Sequence, residues 1–178
     1  MTRNIIVIIF ALLGIILFGC NNTKQPTAQV DKPLTEQEKL MQEMEKNWVA
    51  PFELQIDENI FNKKKMNAYT SDRYDKSAVL VLVLGGVSYA DEKAKFEKMQ
   101  PKEGETVLSK KVEMLNSRET LVYKIKEVRE GLELIFHTYT CKGNDNTTIM
   151  CTCSCKPEDL SKLEKIFEAA AMSVKLKQ

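Results

Sequence analysis

In the second half of the chain, residues 120–128 alternate apolar and polar residues with a period of two, the pattern of a half-buried β-strand. This is one of four strand-like segments that follow one another, at residues 107–115, 120–128, 132–141 and 147–155. Between them stand short stretches rich in turn-forming residues, at 116–117, 129–131 and 142–146. The pattern therefore predicts a four-stranded antiparallel meander.

A helix is predicted directly after the meander. Pro157 stands where the first turn of a helix accepts proline, because its missing N–H costs nothing there. The apolar residues that follow repeat at helical spacing and define one face: Leu160, Leu163, Ile166, Phe167 and Ala170. We expect this face to pack against the sheet.

Further elements are predicted before the meander. Residues 78–84 are continuously apolar, which is typical of a central strand covered on both faces. Ser88 begins a helix that Pro101 and Gly104 end. Residues 51–56 are expected to form a short strand, and residues 60–70 a solvated loop carrying Lys63, Lys64 and Lys65. Together these elements predict an α+β domain, an antiparallel β-sheet meander flanked by helices.

The N-terminus has the pattern of a signal peptide. Residues 5–18 are an apolar run after Arg3, of the length expected of a signal-peptide core and short for a membrane span, which needs about 20 residues. The run ends in Leu17-Phe18-Gly19-Cys20, which resembles the lipobox of bacterial lipoproteins, although Phe18 is bulky for its position. This resemblance implies cleavage before Cys20, a diacylglycerol thioether on Cys20 and an N-acyl chain. A short membrane anchor, or a secreted protein with an incidental cysteine, is the alternative.

These patterns divide the chain into four parts. Residues 1–19 are the predicted lipoprotein signal peptide, and the polar residues 20–34 a lipidated tether. Residues 35–48 form a predicted amphipathic helix with an apolar stripe of Leu40, Met41, Met44 and Trp48. We expect this stripe to dock on the domain at 50–178; binding to a partner is the alternative.

The order of elements is similar to the PsbP-like fold. The residues that carry the likeness are Val79 to Gly86, Val107 to Leu115, Arg118 to Val122, Leu132 to Tyr139, Thr147 to Thr152, and Asp159 to Ala171 followed by Ser173. The PsbP-like resemblance implies a sheet flanked by helices and a non-catalytic binding, adaptor or assembly role. It transfers no site residues to this chain.

A cysteine cluster is the most unusual chemistry in the sequence. Cys151, Cys153 and Cys155 alternate along one predicted strand, so their thiols share one face. If Cys141 pairs with Thr147 across the loop, His137 faces Cys151 and lies on that same face.

Three interpretations of the cysteines remain open. They are small apolar residues that fill a buried strand, or disulfide partners drawn from Cys141, Cys151, Cys153 and Cys155. The third is a zinc or copper(I) site made by Cys151, Cys153 and Cys155 with or without His137.

Composition limits the function. The chain has 26 basic and 25 acidic residues, so it lacks the basic excess that nucleic-acid binding needs. It has one histidine and no Gly-x-Ser-x-Gly motif, so we expect no enzyme and no cofactor beyond the acyl chains on Cys20. The expected partners are the lipid bilayer and an envelope protein that the sequence does not identify.

The predicted location and function follow from the anchor. Asn21 after the lipidated cysteine, in place of an aspartate, favours the outer over the inner membrane. The expected function is a membrane-anchored binding, adaptor or assembly module of the cell envelope. A thiol-binding or soft-metal-binding envelope protein that uses the four domain cysteines is the alternative.

Overall fold

The computed structural model describes residues 49–129, 131–144 and 146–177, together with Lys39. The predicted signal peptide, lipobox, tether and amphipathic helix lie outside the described residues, apart from Lys39. From Ala50 onward the chain forms one compact unit.

The domain contains nine strands and two α-helices in the described residues. They are β1 (Phe52–Glu53), β2 (Lys63–Lys65), β3 (Ala68–Thr70), β4 (Ala78–Gly85), α1 (Tyr89–Lys98), β5 (Glu105–Leu115), β6 (Arg118–Arg129), β7 (Leu132–Asn144), β8 (Thr147–Cys155), α2 (Leu160–Ser173) and β9 (Lys175–Leu176). A short 3₁₀ turn, Pro157–Asp159, leads into α2. The side chain of Ser88 accepts a hydrogen bond from the Asp91 backbone N–H and caps α1.

Seven strands form one antiparallel sheet in the order β2-β3-β4-β8-β7-β6-β5. The predicted meander is β5 to β8, and the continuously apolar strand β4 extends it beside β8. β1 and β9 form a separate two-stranded pair. The predicted fold class is therefore confirmed: the domain is α+β, an antiparallel meander flanked by helices.

Two predictions before β4 are wrong. Residues 60–70 do not form a simple loop, because β2 and β3 make a hairpin there, and β3 pairs with β4. Tyr69 packs into the core, while the β2 lysines occupy the exposed edge of the sheet. The strand expected at 51–56 is limited to Phe52–Glu53, after which the Gln55 N–H bonds the Ser173 side chain at 2.9 Å.

The loop predicted at 142–146 is shorter than expected. β7 continues to Asn144, which pairs with Thr147, and the register shifts between Lys142 and Asn144. Gly143 lies in this bulge, where a Cβ atom would come within 3.0 Å of the Thr147 carbonyl oxygen. A bulge with glycine lets the strands stay paired although the sequence contains only turn formers.

The two helices cover opposite faces of the sheet. Phe167 of α2 contacts His137 of β7, and Phe96 of α1 contacts Tyr123 of β6. Tyr123 pairs with Thr138, the neighbour of His137, so the two contacts fall on opposite faces. The larger apolar core lies under α2 and contains its buried residues Leu163, Phe167 and Ala171.

Candidate functional site

The four domain cysteines and the single histidine lie on the sheet face that α2 covers. In the β7–β8 register, His137 is opposite Cys153, Tyr139 is opposite Cys151, and Cys141 is opposite Ile149. Because residues two apart along a strand share a face, Cys155 belongs to the same layer. The prediction that the thiols and His137 share a face is confirmed by this register.

The predicted pairing itself is wrong by two residues. Cys141 pairs with Ile149 and His137 with Cys153, whereas the sequence suggested Thr147 and Cys151. The strands continue past Cys141 to the bulge at Gly143, which moves the turn along the chain. A shift of two residues keeps every side chain on its face, whereas a shift of one would have reversed them.

Helix α2 closes this layer from solvent. Cys153 and Cys155 are 0% exposed, and His137 is 1% exposed. The ring of Phe167 lies 6.1 Å from the His137 ring and 6.0 Å from the Phe61 ring. A substrate approaching from solvent would have to displace the helix to reach these groups.

Burial keeps His137 neutral. Loss of hydration, together with the nearby Lys124 charge and against the opposing charge of Glu164, lowers the pKa of His137 to about 4. Nδ1 lies 3.4 Å from the Tyr139 hydroxyl, whose own pKa is raised by burial, so the hydroxyl keeps its proton and can donate it to Nδ1. Among the described residues, Nε2 has no hydrogen-bond partner.

The thiols of Cys141, Cys153 and Cys155 are also held in their neutral form. Burial raises the pKa of Cys141, although the Arg118 guanidinium, 3.4 Å from its Sγ, opposes the increase. Burial raises the pKa of Cys155 to about 12 and that of Cys153 well above its usual range. A protonated thiol is a poor nucleophile and a poor metal ligand.

Cys141, Cys151, Cys153 and Cys155 are free thiols in this structure. The Sγ atoms of Cys151 and Cys153 lie 3.9 Å apart. Within residues 49–129, 131–144 and 146–177, no three histidine, cysteine or acidic side chains are grouped to hold a metal ion. The structure thus places His137, Cys151 and Cys153 near one another. Within the described residues, it does not group Cys151, Cys153 and Cys155 as ligands of one metal ion.

Three charged residues that lie beside the cluster were not among the candidate site residues chosen from the sequence. Lys124 pairs with His137 across β6 and β7 and forms an ion pair with Glu164 of α2. Arg118 donates to the Val174 carbonyl oxygen as well as to Cys141. The alternation of apolar and polar residues along β6 shows which residues share a face with Lys124. Only the pairing of β6 with β7 shows that His137 lies on that same face.

An open groove lies next to α2. It has a volume of about 370 Å³ and is lined by Gln55, Ile56, Asp57, Lys165, Ile166, Ala169 and Ala170. Lys165 and Asp57 provide its charges. Within the described part of the chain, no helix is long and apolar enough to cross a membrane.

Comparison by sequence matches no protein family and no curated protein. Among solved structures, LpqN of Mycobacterium tuberculosis, involved in cell envelope biogenesis, is similar with a TM-score of 0.51 and 7% identity over 71% of this chain and 83% of LpqN. A Pseudomonas aeruginosa protein of unknown function gives 0.46 and 13% identity over 74% and 88% of the two chains. PsbP of the cyanobacterium Synechocystis gives 0.42 and 9% identity over 71% and 82%. At 7% identity, the likeness to LpqN shows a shared fold and nothing about function. The other two TM-scores are below 0.5, so nothing is inferred from those two structures.

Proposed function

We propose that this chain is a lipid-anchored protein of the cell envelope that acts as a non-catalytic binding, adaptor or assembly module. The observation that carries the proposal is the burial of His137 and the four thiols beneath α2. The lipobox-like segment ending at Cys20 supports the anchor. The envelope role of LpqN, which shares the fold, supports the location.

The electrostatics of the cluster argue against catalysis. A general base must reach the proton it removes and should have a pKa near the working pH. His137 meets neither condition, because it is buried and its pKa is lowered to about 4. A cysteine nucleophile needs a lowered pKa, whereas burial raises the pKa of Cys153 and Cys155.

Lipidation of Cys20 is the decisive experiment for the anchor. Full-length wild type and Cys20→Ser are expressed in a bacterial host with a clickable fatty acid, and intact mass is measured after purification. We expect label on wild type and a chain that begins at Cys20, and neither in Cys20→Ser. Asn22→Ser, which keeps the cysteine, should behave as wild type. Unlabelled wild type, or label retained in Cys20→Ser, would refute the anchor. In a host with two membranes, density-gradient separation should place wild type in the outer membrane.

The 3.9 Å separation of the Cys151 and Cys153 sulfurs favours a second candidate, binding of a soft metal. Two thiolates on one tetrahedral zinc, each at about 2.3 Å, lie roughly 3.8 Å apart. Native mass spectrometry of chain purified without chelators tests this candidate. A retained zinc or copper that is lost in Cys151→Ser and Cys153→Ser, but kept in Cys141→Ser, would establish it. Metal-free wild type would leave the thiols as core residues.

A further inference from the structure

The outer edge of the large sheet is formed by β5, which is the last strand in the order. This strand is eleven residues long, and most of its side chains are exposed. Val112 is 40% exposed and Met114 64% exposed. In the part of the chain that the structure describes, no strand pairs with its outer side. A long exposed edge of this kind is a template for pairing with another strand.

The hairpin between β5 and β6 determines which backbone groups of β5 point outward. Asn116 and Ser117 have positive φ values of 48° and 61° and connect the directly paired Leu115 and Arg118. In such a two-residue hairpin the flanking pair exchanges both backbone hydrogen bonds, and bonded and non-bonded pairs then alternate along the strands.

The N–H and C=O groups of Met114, Val112 and Lys110 therefore point away from β6 and are available to another strand. The bulge between Val107 and Ser109 interrupts this series. The usable edge thus runs from Ser109 to Leu115.

We propose that two copies of this chain associate through β5, in antiparallel pairing about a two-fold axis at Val112. Each Val112 then faces its equivalent, and Lys110 faces Met114 of the partner subunit. All three outward-pointing residues bond across the interface, which gives up to about six backbone hydrogen bonds. The two sheets become one continuous sheet.

Charge complementarity selects this axis over its neighbours. With the axis at Val112, Lys111 lies opposite Glu113 of the partner subunit, and the symmetry repeats this pair. Moving the axis by one residue places Lys111 opposite its own equivalent, or Glu113 opposite its own, and like charges directly opposite each other are destabilising. A two-fold axis at Lys110 would place Lys110 opposite its own equivalent, which is again a pair of like charges. It would also bring the bulge between Val107 and Ser109 into the paired region. Lys111 and Glu113 already pair within one chain at 2.7 Å, so they share a sheet face.

The opposite face of β5 supplies apolar contact. Val112 and Met114 lie on this face with Lys110, because Val112 pairs with Leu121 and Lys110 with Tyr123. The Lys110 ammonium donates to the carbonyl oxygens of Glu97 and Met99 at 3.1 and 2.9 Å. Its charge is thus held at the C-terminal end of α1, and its aliphatic stem is left beside Met114 of the partner subunit.

Crosslinking in the full-length membrane-bound chain tests the axis. Opposite residues in a hydrogen-bonded pair have Cα atoms about 5.5 Å apart, within the range that a disulfide spans. Val112→Cys treated with diamide, which takes up the two electrons and two protons from the thiols, should give a dimer on a non-reducing gel. Met114→Cys is the matched control, because its equivalent lies about 13 Å away along the strand. Equal dimer yields from the two variants, or none from Val112→Cys, would overturn the proposed axis.

Charge reversal tests the interface without a new thiol. We expect Lys111→Glu and Glu113→Lys each to weaken association about tenfold, and the double variant to restore it, because the opposite-charge pairs are recreated. Sedimentation of detergent-solubilised chain measures the dissociation constant. A monomer at every concentration, or a double variant as weak as the single ones, would refute the proposal. Cys20→Ser should keep the dimer, so failure of the lipid anchor and failure of this interface are separable.

Discussion

His137 and Cys153 lie directly opposite each other on β7 and β8, both side chains are buried, and the His137 ring lies against Phe167 of α2. A histidine and a cysteine on the same face of neighbouring strands suggest reactivity when the sequence is considered alone. Here burial holds both in their neutral forms, because the charged forms would lose their hydration. The pair is therefore a polar part of the core, and the protonation of its groups should affect the stability of the protein.

Stability should fall as the pH decreases from about 6.5 to about 4. An unfolded histidine takes up its proton near pH 6.5, whereas folded His137 does so only near pH 4, owing to burial and Lys124. Between these values the unfolded state binds one more proton, so the free energy of unfolding decreases with falling pH. Urea unfolding of wild type and His137→Gln at about pH 7.5 and about pH 4.5 measures the effect. The variant should lose less stability between the two values, and an equal loss would contradict the prediction.

The four domain thiols should resist alkylation in the native protein. They are buried, and burial raises the pKa of Cys141, Cys153 and Cys155. Intact mass after iodoacetamide treatment should show modification of these thiols only when denaturant is added. The surface variant Gln100→Cys, with one extra thiol in the exposed segment after α1, should gain one adduct under native conditions. Rapid native labelling of the wild-type cysteines would show that α2 opens readily.

Loss of the Phe167 side chain should be strongly destabilising. Phe167 is 0% exposed and lies against both Phe61 and His137. Phe167→Ala should lower the free energy of unfolding by about 3–5 kcal/mol, because it removes apolar contact and leaves a cavity. Glu168→Ala, the exposed neighbour on α2, should change it by less than about 0.5 kcal/mol. Denaturant titration of both variants measures the difference, and similar values would mean that α2 does not seal the layer.

Replacing Ser117 by glycine should stabilise the β5–β6 hairpin. Ser117 has a φ of 61°, a left-handed conformation in which a side chain is strained. Ser117→Gly should raise the free energy of unfolding by about 0.5 kcal/mol. This is the strain energy that the substitution relieves, minus the entropic cost of fixing glycine, which is more flexible in the unfolded chain. Ser109→Gly within β5 should instead lower it, because no strain is relieved there. Thermal unfolding distinguishes the two signs.

The ion pair between Lys124 and Glu164 should contribute modestly and only above acidic pH. The Lys124 side chain is 19% exposed and that of Glu164 is 44% exposed, so solvent weakens their attraction. Glu164→Gln should cost about 0.5 kcal/mol near neutral pH. Hydrogen bonding to Lys124 lowers the pKa of Glu164, so the contribution is lost as the pH falls through this lowered value. A cost that persists unchanged at about pH 2.5 would indicate a packing effect instead.

Local patterns in the sequence predicted most of the meander and its covering helix. The limits of β8 and the turn at Asn116-Ser117 agree with the structure, because alternation and turn formers act over a few residues. The β2–β3 hairpin was missed because Lys63, Lys64 and Lys65 suggest a solvated segment. Its pairing depends on Tyr69 packing against a strand distant in sequence, which no local pattern shows.

The sequence by itself determined the fold class and the shared face of Cys151, Cys153 and Cys155, because side-chain parity within a strand follows from its periodicity; the relation of these thiols to His137 depended on the register between two strands. Only the tertiary structure decided what these residues can do. The pairing of β7 with β8, the closure by α2 and the approach of Lys124 determine burial and charge. Those properties lower the pKa of His137 and raise that of Cys153. The exposed edge at Val112 was likewise decided by strand order, since an edge strand and an inner strand can carry the same alternating pattern.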